Sequence, residues 1–135
     1  MKKFVSILSV LMLFVLFITG CTEQERENSV AGKIYTYSGE AFSEFANDYT
    51  FSITINDDGT YSYYESLLSS YIGSGEWSVT DGVLTLSDDT GVEIVNYFLI
   101  DGDDIVFIEE NSTNFIYVKV KDGERFHGAM ISNDE

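Results

Sequence analysis

Three acidic, glycine-containing turns set the fold of this chain. Asn56-Asp57-Asp58-Gly59, Thr80-Asp81-Gly82 and Asp101-Gly102-Asp103-Asp104 each separate two short segments whose apolar residues alternate. Asp and Asn start tight turns at little cost and Gly accepts positive φ, so each turn predicts a β-hairpin. The clearest alternation lies before the first of them. Tyr49, Phe51, Ile53 and Ile55 share one face, and Thr50, Ser52 and Thr54 share the other, which is the period of a half-buried strand. The same reading gives eight strands, at residues 33–37, 49–55, 60–66, 73–79, 83–86, 92–100, 105–108 and 115–120. The chain has no proline and no long helical pattern. Consecutive hairpins favour an all-β antiparallel meander closing into an up-and-down barrel, since closure removes the sheet edges. A two-sheet β-sandwich is the alternative. Phe51, Ile53, Trp77, Leu84 and Leu86 are the expected core. The strand at 92–100 has apolar residues on both faces, which points to a bulge or to cover on both sides.

In a meander the connections alternate between two ends. The acidic turns at Asp57-Asp58, Asp81 and Asp101 to Asp104 collect at one. The longer connections at 38–48, 67–72, 87–91 and 109–114 collect at the other. Residues 38–48 carry a pattern of one or two helical turns. Phe42, Phe45, Leu67, Leu68, Tyr71 and Ile72 place apolar side chains at this looser end. They are candidates either for a ligand entrance or for a plug. Residues from Asp122 onward read as a tail pinned by Phe126, with 127–135 polar.

The first residues are of a different kind. Lys2 and Lys3 precede an apolar run, Phe4 to Ile18, broken only by Ser6 and Ser9. The run is short for a membrane span and has the three-part pattern of a secretory signal. It ends in Ile18-Thr19-Gly20-Cys21, which resembles the lipobox of bacterial lipoproteins. The resemblance implies a signal-peptide helix removed between Gly20 and Cys21, and a diacylglyceryl group on the Cys21 thiol. The protein would then be lipid-anchored on the extracytoplasmic face of a bacterial cell membrane. Lipidation also accounts for a cysteine that has no second cysteine to pair with. Two acyl chains make such an anchor durable where one does not.

The expected organisation is therefore signal peptide 1–20, lipidated cysteine and polar tether 21–31, barrel domain 32–126 and tail 127–135. The tether would reach at most about 35 Å when extended. Without the signal, five basic residues (Arg26, Lys33, Lys119, Lys121, Arg125) stand against 23 acidic ones, a formal charge of −18. Such a field repels phosphate backbones and anionic headgroups, so nucleic acid is excluded as a partner and the lipid itself must hold the domain at the membrane. The first strand begins at the end that carries the acidic turns. The looser end is thus expected to face away from the membrane.

The motifs at 49–55, Asp58-Gly59-Thr60-Tyr61, Gly75-Glu76-Trp77-Ser78-Val79 and Gly82-Val83-Leu84-Thr85-Leu86 resemble, in their order, the small lipocalin-like lipoproteins of bacteria. The resemblance spans residues 32–120. It implies a lipocalin-like barrel and no particular activity, because fold does not fix function.

Catalytic chemistry finds little support. His127 is the only histidine, so metal ligation lacks a partner, and no metal or cofactor is expected. Ser74 lies between Gly73 and Gly75 but lacks the spacing of a nucleophile elbow. Glu65 and Glu76 have nothing to mark them as a glycosidase pair. The acidic turns offer at most weak Ca²⁺ binding, since the spaced ligands of a calcium loop are missing. Tyr61, Tyr63, Tyr64, Tyr71 and Tyr97 are either an aromatic binding surface or ordinary strand formers. Two functions remain, neither enzymatic. One is a binding module for a small apolar ligand or an envelope protein partner at the open end. The other is a structural or interaction lipoprotein with a filled barrel. Interior volume separates them, with about 300 Å³ as the least that a ligand pocket needs.

Overall fold

The computed structural model describes residues 21–37, 39, 51–65, 72–88, 93–116 and 118–132. One helix, α1 (Cys21–Val30), precedes eight strands: β1 (Lys33–Tyr37), β2 (Phe51–Ile55), β3 (Thr60–Tyr64), β4 (Ile72–Thr80), β5 (Val83–Asp88), β6 (Val95–Asp101), β7 (Asp104–Ile108) and β8 (Arg125–Met130). The strands are antiparallel in chain order and close into a barrel, β8 pairing back on β1. The expected meander is thus observed and the sandwich is not.

The turns follow from their residues. Thr80 pairs with Val83, leaving Asp81-Gly82 as a two-residue loop with φ of 52° and 76°. Positive φ at both positions matches the right-handed twist of the flanking strands. In the turn before β3, Asp58 Oδ1 accepts the Thr60 N–H at 3.0 Å and its hydroxyl at 2.6 Å, and Gly59 takes φ of 86°. Those bonds, the hydroxyl's first, hold the Asp58 carboxyl below the usual carboxylate range.

Three expectations need correction. The segment read as a polar tether is α1. It has no apolar stripe, so no periodicity announced it. It stops at Gly32, whose φ of 70° is the left-handed conformation that ends helices. Val30 is fully buried in the barrel core, and the Arg26 guanidinium lies against Gly82. The helix therefore crosses the end of the barrel that carries the tight turns, and is about 15 Å long. Gly32 then donates to Ile55 O at 2.8 Å and accepts from Ile131 N–H at 3.1 Å, fixing the entry into β1.

Second, residues 115–120 are not the eighth strand. They belong to the connection between β7 and β8. The last strand is β8, inside the stretch read as a tail, with five register pairs to β1. Third, β6 pairs with β5 through five consecutive residues without a bulge, although its outer face carries Leu99 and Tyr97.

The interior has two halves. Tyr37, Phe51, Tyr63, Phe98, Phe107 and Phe126 fill the half near the long connections. Tyr35, Ile55, Tyr61, Leu84 and Ile105 lie nearer α1, with Val30 and Val79. Phe51, Ile53, Leu84 and Leu86 are buried as expected, and Trp77 is half-buried against the core, donating its indole N–H to Asn56 O at 2.9 Å. Two of the largest side chains lie over glycines. A Cβ at Gly73 would fall inside the Tyr63 ring, and one at Gly128 would meet both the Tyr35 ring and Asp103 O. Each tyrosine is the cross-strand partner of its glycine. The absent side chain lets the ring lie flat on the barrel wall.

At the α1 end Lys33 is buried and reaches Asp103 Oδ1 at 2.9 Å. Arg125 bridges Asp101 at 2.6 Å and Asp104 at 3.2 Å. Partial burial pushes the Asp104 carboxyl up. Hydrogen bonds from Gly128 N–H and Arg125, with the neighbouring His127, outweigh it and hold the group below the usual range. Tyr35 behaves in the opposite sense. Burial first, then the Asp103 and Asp104 carboxylates, hold its phenol proton far above the usual value. An unfolded tyrosine ionises near pH ~10. Because the folded value is raised, the contribution is complete below pH ~10 and is lost as pH rises beyond it. Urea unfolding midpoints should therefore drop between pH ~8 and pH ~11, and Tyr35→Phe should shrink that drop. An equal drop in both proteins would remove Tyr35 as its cause.

Candidate functional site

The two ends of the barrel differ in how they are closed. At the α1 end the connections are short and the helix lies across them. At the other end the residues expected to form a mouth or plug, Phe42, Phe45, Leu67, Leu68 and Tyr71, lie outside the described residues, as does the helical pattern at 38–48 (Gly39 apart). Ile72 is described. It opens β4 and is 64% exposed, so it does not point into the barrel.

A different segment closes this end among the described residues. The connection 109–124 first runs beside β6. Thr113 N–H donates to Val95 O at 2.8 Å, and Ser112 Oγ accepts the Tyr97 N–H at 3.0 Å. It then turns over the barrel. Phe115, Val118 and Val120 are buried in the core cluster. The Phe115 ring centre lies 4.6 Å from that of Phe51 and 5.1 Å from that of Tyr63, both edge-on. Such edge-to-face pairs add to the area they bury.

Three polar side chains hold this segment. Glu65, fully buried, accepts the Ile116 N–H at Oε1 (3.0 Å) and the Val118 N–H at Oε2 (2.7 Å). Asn114 has φ of 70°. Its Oδ1 accepts from Phe115 and Val120 N–H, and its Nδ2 donates to Val120 O at 2.8 Å. Asn96 Oδ1, also buried, accepts the Asn114 N–H at 2.8 Å. On the far side Tyr37 donates its hydroxyl to Glu124 Oε2, which also accepts Lys121 N–H. This explains why 115–120 mimics a strand in sequence. The Phe115, Ile116, Val118 and Val120 amides bond to side chains, where a strand would use a neighbouring ladder.

Glu65 could have been anticipated from parity. It continues the inward face of Tyr61 and Tyr63, where an acid requires a partner. Tyr61 and Tyr63 are core residues, so the tyrosines do not form one aromatic surface. Tyr64 and Tyr97 are half-buried on the outer face, and Tyr71 lies outside the described residues. Glu65 and Glu76 are not brought together, since Glu76 is exposed. His127 is no tail residue. It sits on the outer face of β8, with Nδ1 3.3 Å from Asp104 Oδ2. Asp101, Asp103 and Asp104 pair with Arg125 and Lys33. Among the described residues no group of three or more His, Cys, Asp or Glu is placed to hold a metal ion. Cys21 is the first residue of α1, which puts the expected lipid attachment on the element that crosses the tight-turn end. No described helix is long and apolar enough to cross a membrane, and the signal-like segment 1–20 lies outside the described residues.

Glu65→Gln tests the latch. A glutamine offers one acceptor to two amides and turns a donor toward the other. The expected cost is about 1–3 kcal/mol, with hydrogen-exchange protection lost first at the Ile116 and Val118 amides. Unchanged protection at both would show that the carboxylate does not hold the segment. Comparison of the chain with protein-family models, with curated proteins and with solved structures finds no match in any of the three.

Proposed function

We propose that this protein is a lipid-anchored extracytoplasmic lipoprotein whose barrel is a filled scaffold, acting by recognition at its outer surface. The carrying observation is the position of Phe115, which occupies the barrel beneath its own connection, 4.6 Å from Phe51. A barrel of eight strands has an interior that side chains can just fill. Here the described interior is lined by aromatic rings in mutual contact. A small apolar ligand at the open end would have to displace that packing and the bonds to Glu65. An envelope protein partner met on the outside requires no such change. No catalytic step is part of this reading.

The lipobox-like Ile18-Thr19-Gly20-Cys21 supports the anchor, and α1 refines its geometry. A docked helix holds the barrel close to its attachment point, where a free tether would let it wander over about 35 Å. The long connections would then face away from the membrane.

Native mass spectrometry of the full chain, released from the membranes of its own host in mild detergent, tests both parts. The expected mass is that of residues 21–135 carrying a diacylglyceryl group on Cys21, with no small molecule retained. A retained apolar ligand would overturn the filled-scaffold reading. An unmodified Cys21 would overturn the anchor.

A further inference from the structure

The outer wall of this barrel is mostly short and polar, as at Ser52, Thr54, Ser62, Ser74, Ser78 and Thr85. The β6–β7 face departs from that pattern. There Leu99 pairs with Val106 and Tyr97 with Ile108, while their neighbours Phe98 and Phe107 pair inside the barrel. Leu99 remains 47% exposed. A groove of about 640 Å³ runs along this face, its floor Leu99, Val106 and Ile108, its rim Glu109, Glu110 and Asp122. Asp122 Oδ1 accepts the Glu109 N–H at 2.9 Å, which ties two residues of the rim together. Among the described residues neither Glu109 nor Glu110 has an ion-pair partner, whereas Asp101, Asp103 and Asp104 at the other end are matched by Arg125 and Lys33.

Contiguous apolar surface rimmed by polar groups marks an interaction site more often than a folding requirement. The rim decides the occupant. A second copy of this chain would set Glu109 and Glu110 against their own kind within a −18 domain. An anionic membrane or a nucleic acid would be repelled in the same way. A polypeptide segment with apolar side chains spaced by Lys or Arg satisfies floor and rim together.

We propose that the β6–β7 groove docks a cationic, amphipathic segment of a partner protein, its apolar side chains on Leu99, Val106 and Ile108 and its basic groups on Glu109 and Glu110. The proposal rests on the surface-recognition reading above and gives it a place and a partner chemistry. Rim charges set the encounter rate and salt dependence of such a complex, and the apolar centre sets how long it lasts.

The test uses the full lipidated chain in phosphatidylcholine nanodiscs, with empty nanodiscs as reference. The probe is a fluorescein-labelled synthetic peptide of repeating Leu-Lys-Lys-Leu. Binding is followed by anisotropy at low and physiological salt. Leu99→Ser is expected to raise Kd about tenfold. Val106→Thr, which keeps the shape, should raise it by a smaller factor and guards against a folding artefact. Glu109→Gln with Glu110→Gln should raise Kd about fivefold and flatten its salt dependence. The charge-matched pair Glu25→Gln with Glu76→Gln, both exposed and away from the groove, should leave Kd unchanged. A control peptide with Ser in place of Leu should bind at least about tenfold more weakly. Equal weakening by the two charge pairs, equal binding of the serine peptide, or indifference to both floor variants would each overturn the proposal. A ligand retained in the mass spectrum would instead overturn the filled-scaffold reading, whatever the titration shows.

Discussion

Barrel closure depends on one pairing, that of Arg125–Met130 with Lys33–Tyr37. Without it the meander would leave two open edges, and open edges recruit other chains. The pairing is possible because Gly128 stands opposite Tyr35 and leaves room for its ring against the wall. The rest follows from closure. A closed ring of eight strands encloses a narrow interior. Tyr37, Phe51, Tyr63, Phe98, Phe107 and Phe126 fill one half of it, and what lies over them must supply the last apolar side chain.

Phe115 is that side chain, and its placement costs the backbone its regular hydrogen bonds. Residues 114–120 cannot form a ladder while crossing the mouth, so Glu65, Asn96 and Asn114 provide acceptors. Buried carboxylates are tolerated where they are fully hydrogen-bonded. Glu65 is thus part of the packing, as Val30 is at the opposite end, where α1 lies across the tight turns. Among the described residues both ends of the interior are thus filled from within the chain, which leaves the outer wall. Much of that wall is short and polar, whereas along β6 and β7 Leu99, Val106 and Ile108 lie beside Glu109 and Glu110, which have no ion-pair partner among the described residues.

The hairpins were legible in the sequence because local chemistry alone determines them. Asp81-Gly82 can adopt two positive φ values and the flanking residues alternate, so no distant contact is needed to predict the turn. What was not legible depends on distant partners. Arg125–Met130 hides its parity because the inward position after Phe126 is Gly128, empty in favour of Tyr35. The stretch at 115–120 imitates a strand because Phe115, Val118 and Val120 are buried by the interior beneath them, while the Ile116 and Val118 amides are taken by Glu65, 51 and 53 residues away in sequence. The helix Cys21–Val30 has no apolar face and is held by its last residue alone in the core. The groove had a visible sign, the apolar residues on both faces of the sixth strand. Only the register with β7 shows that they meet an acidic rim.

The account stands on the ring of Phe115 filling the barrel. A nuclear Overhauser spectrum of the protein in solution, with Phe and Tyr rings selectively labelled, measures this directly. With ring centres 4.6 Å and 5.1 Å apart, Phe115 is expected to show strong cross-peaks to Phe51 and Tyr63. Absence of both, with the Phe115 ring accessible to a paramagnetic solvent probe, would contradict the filled barrel and with it the case for recognition on the outer wall.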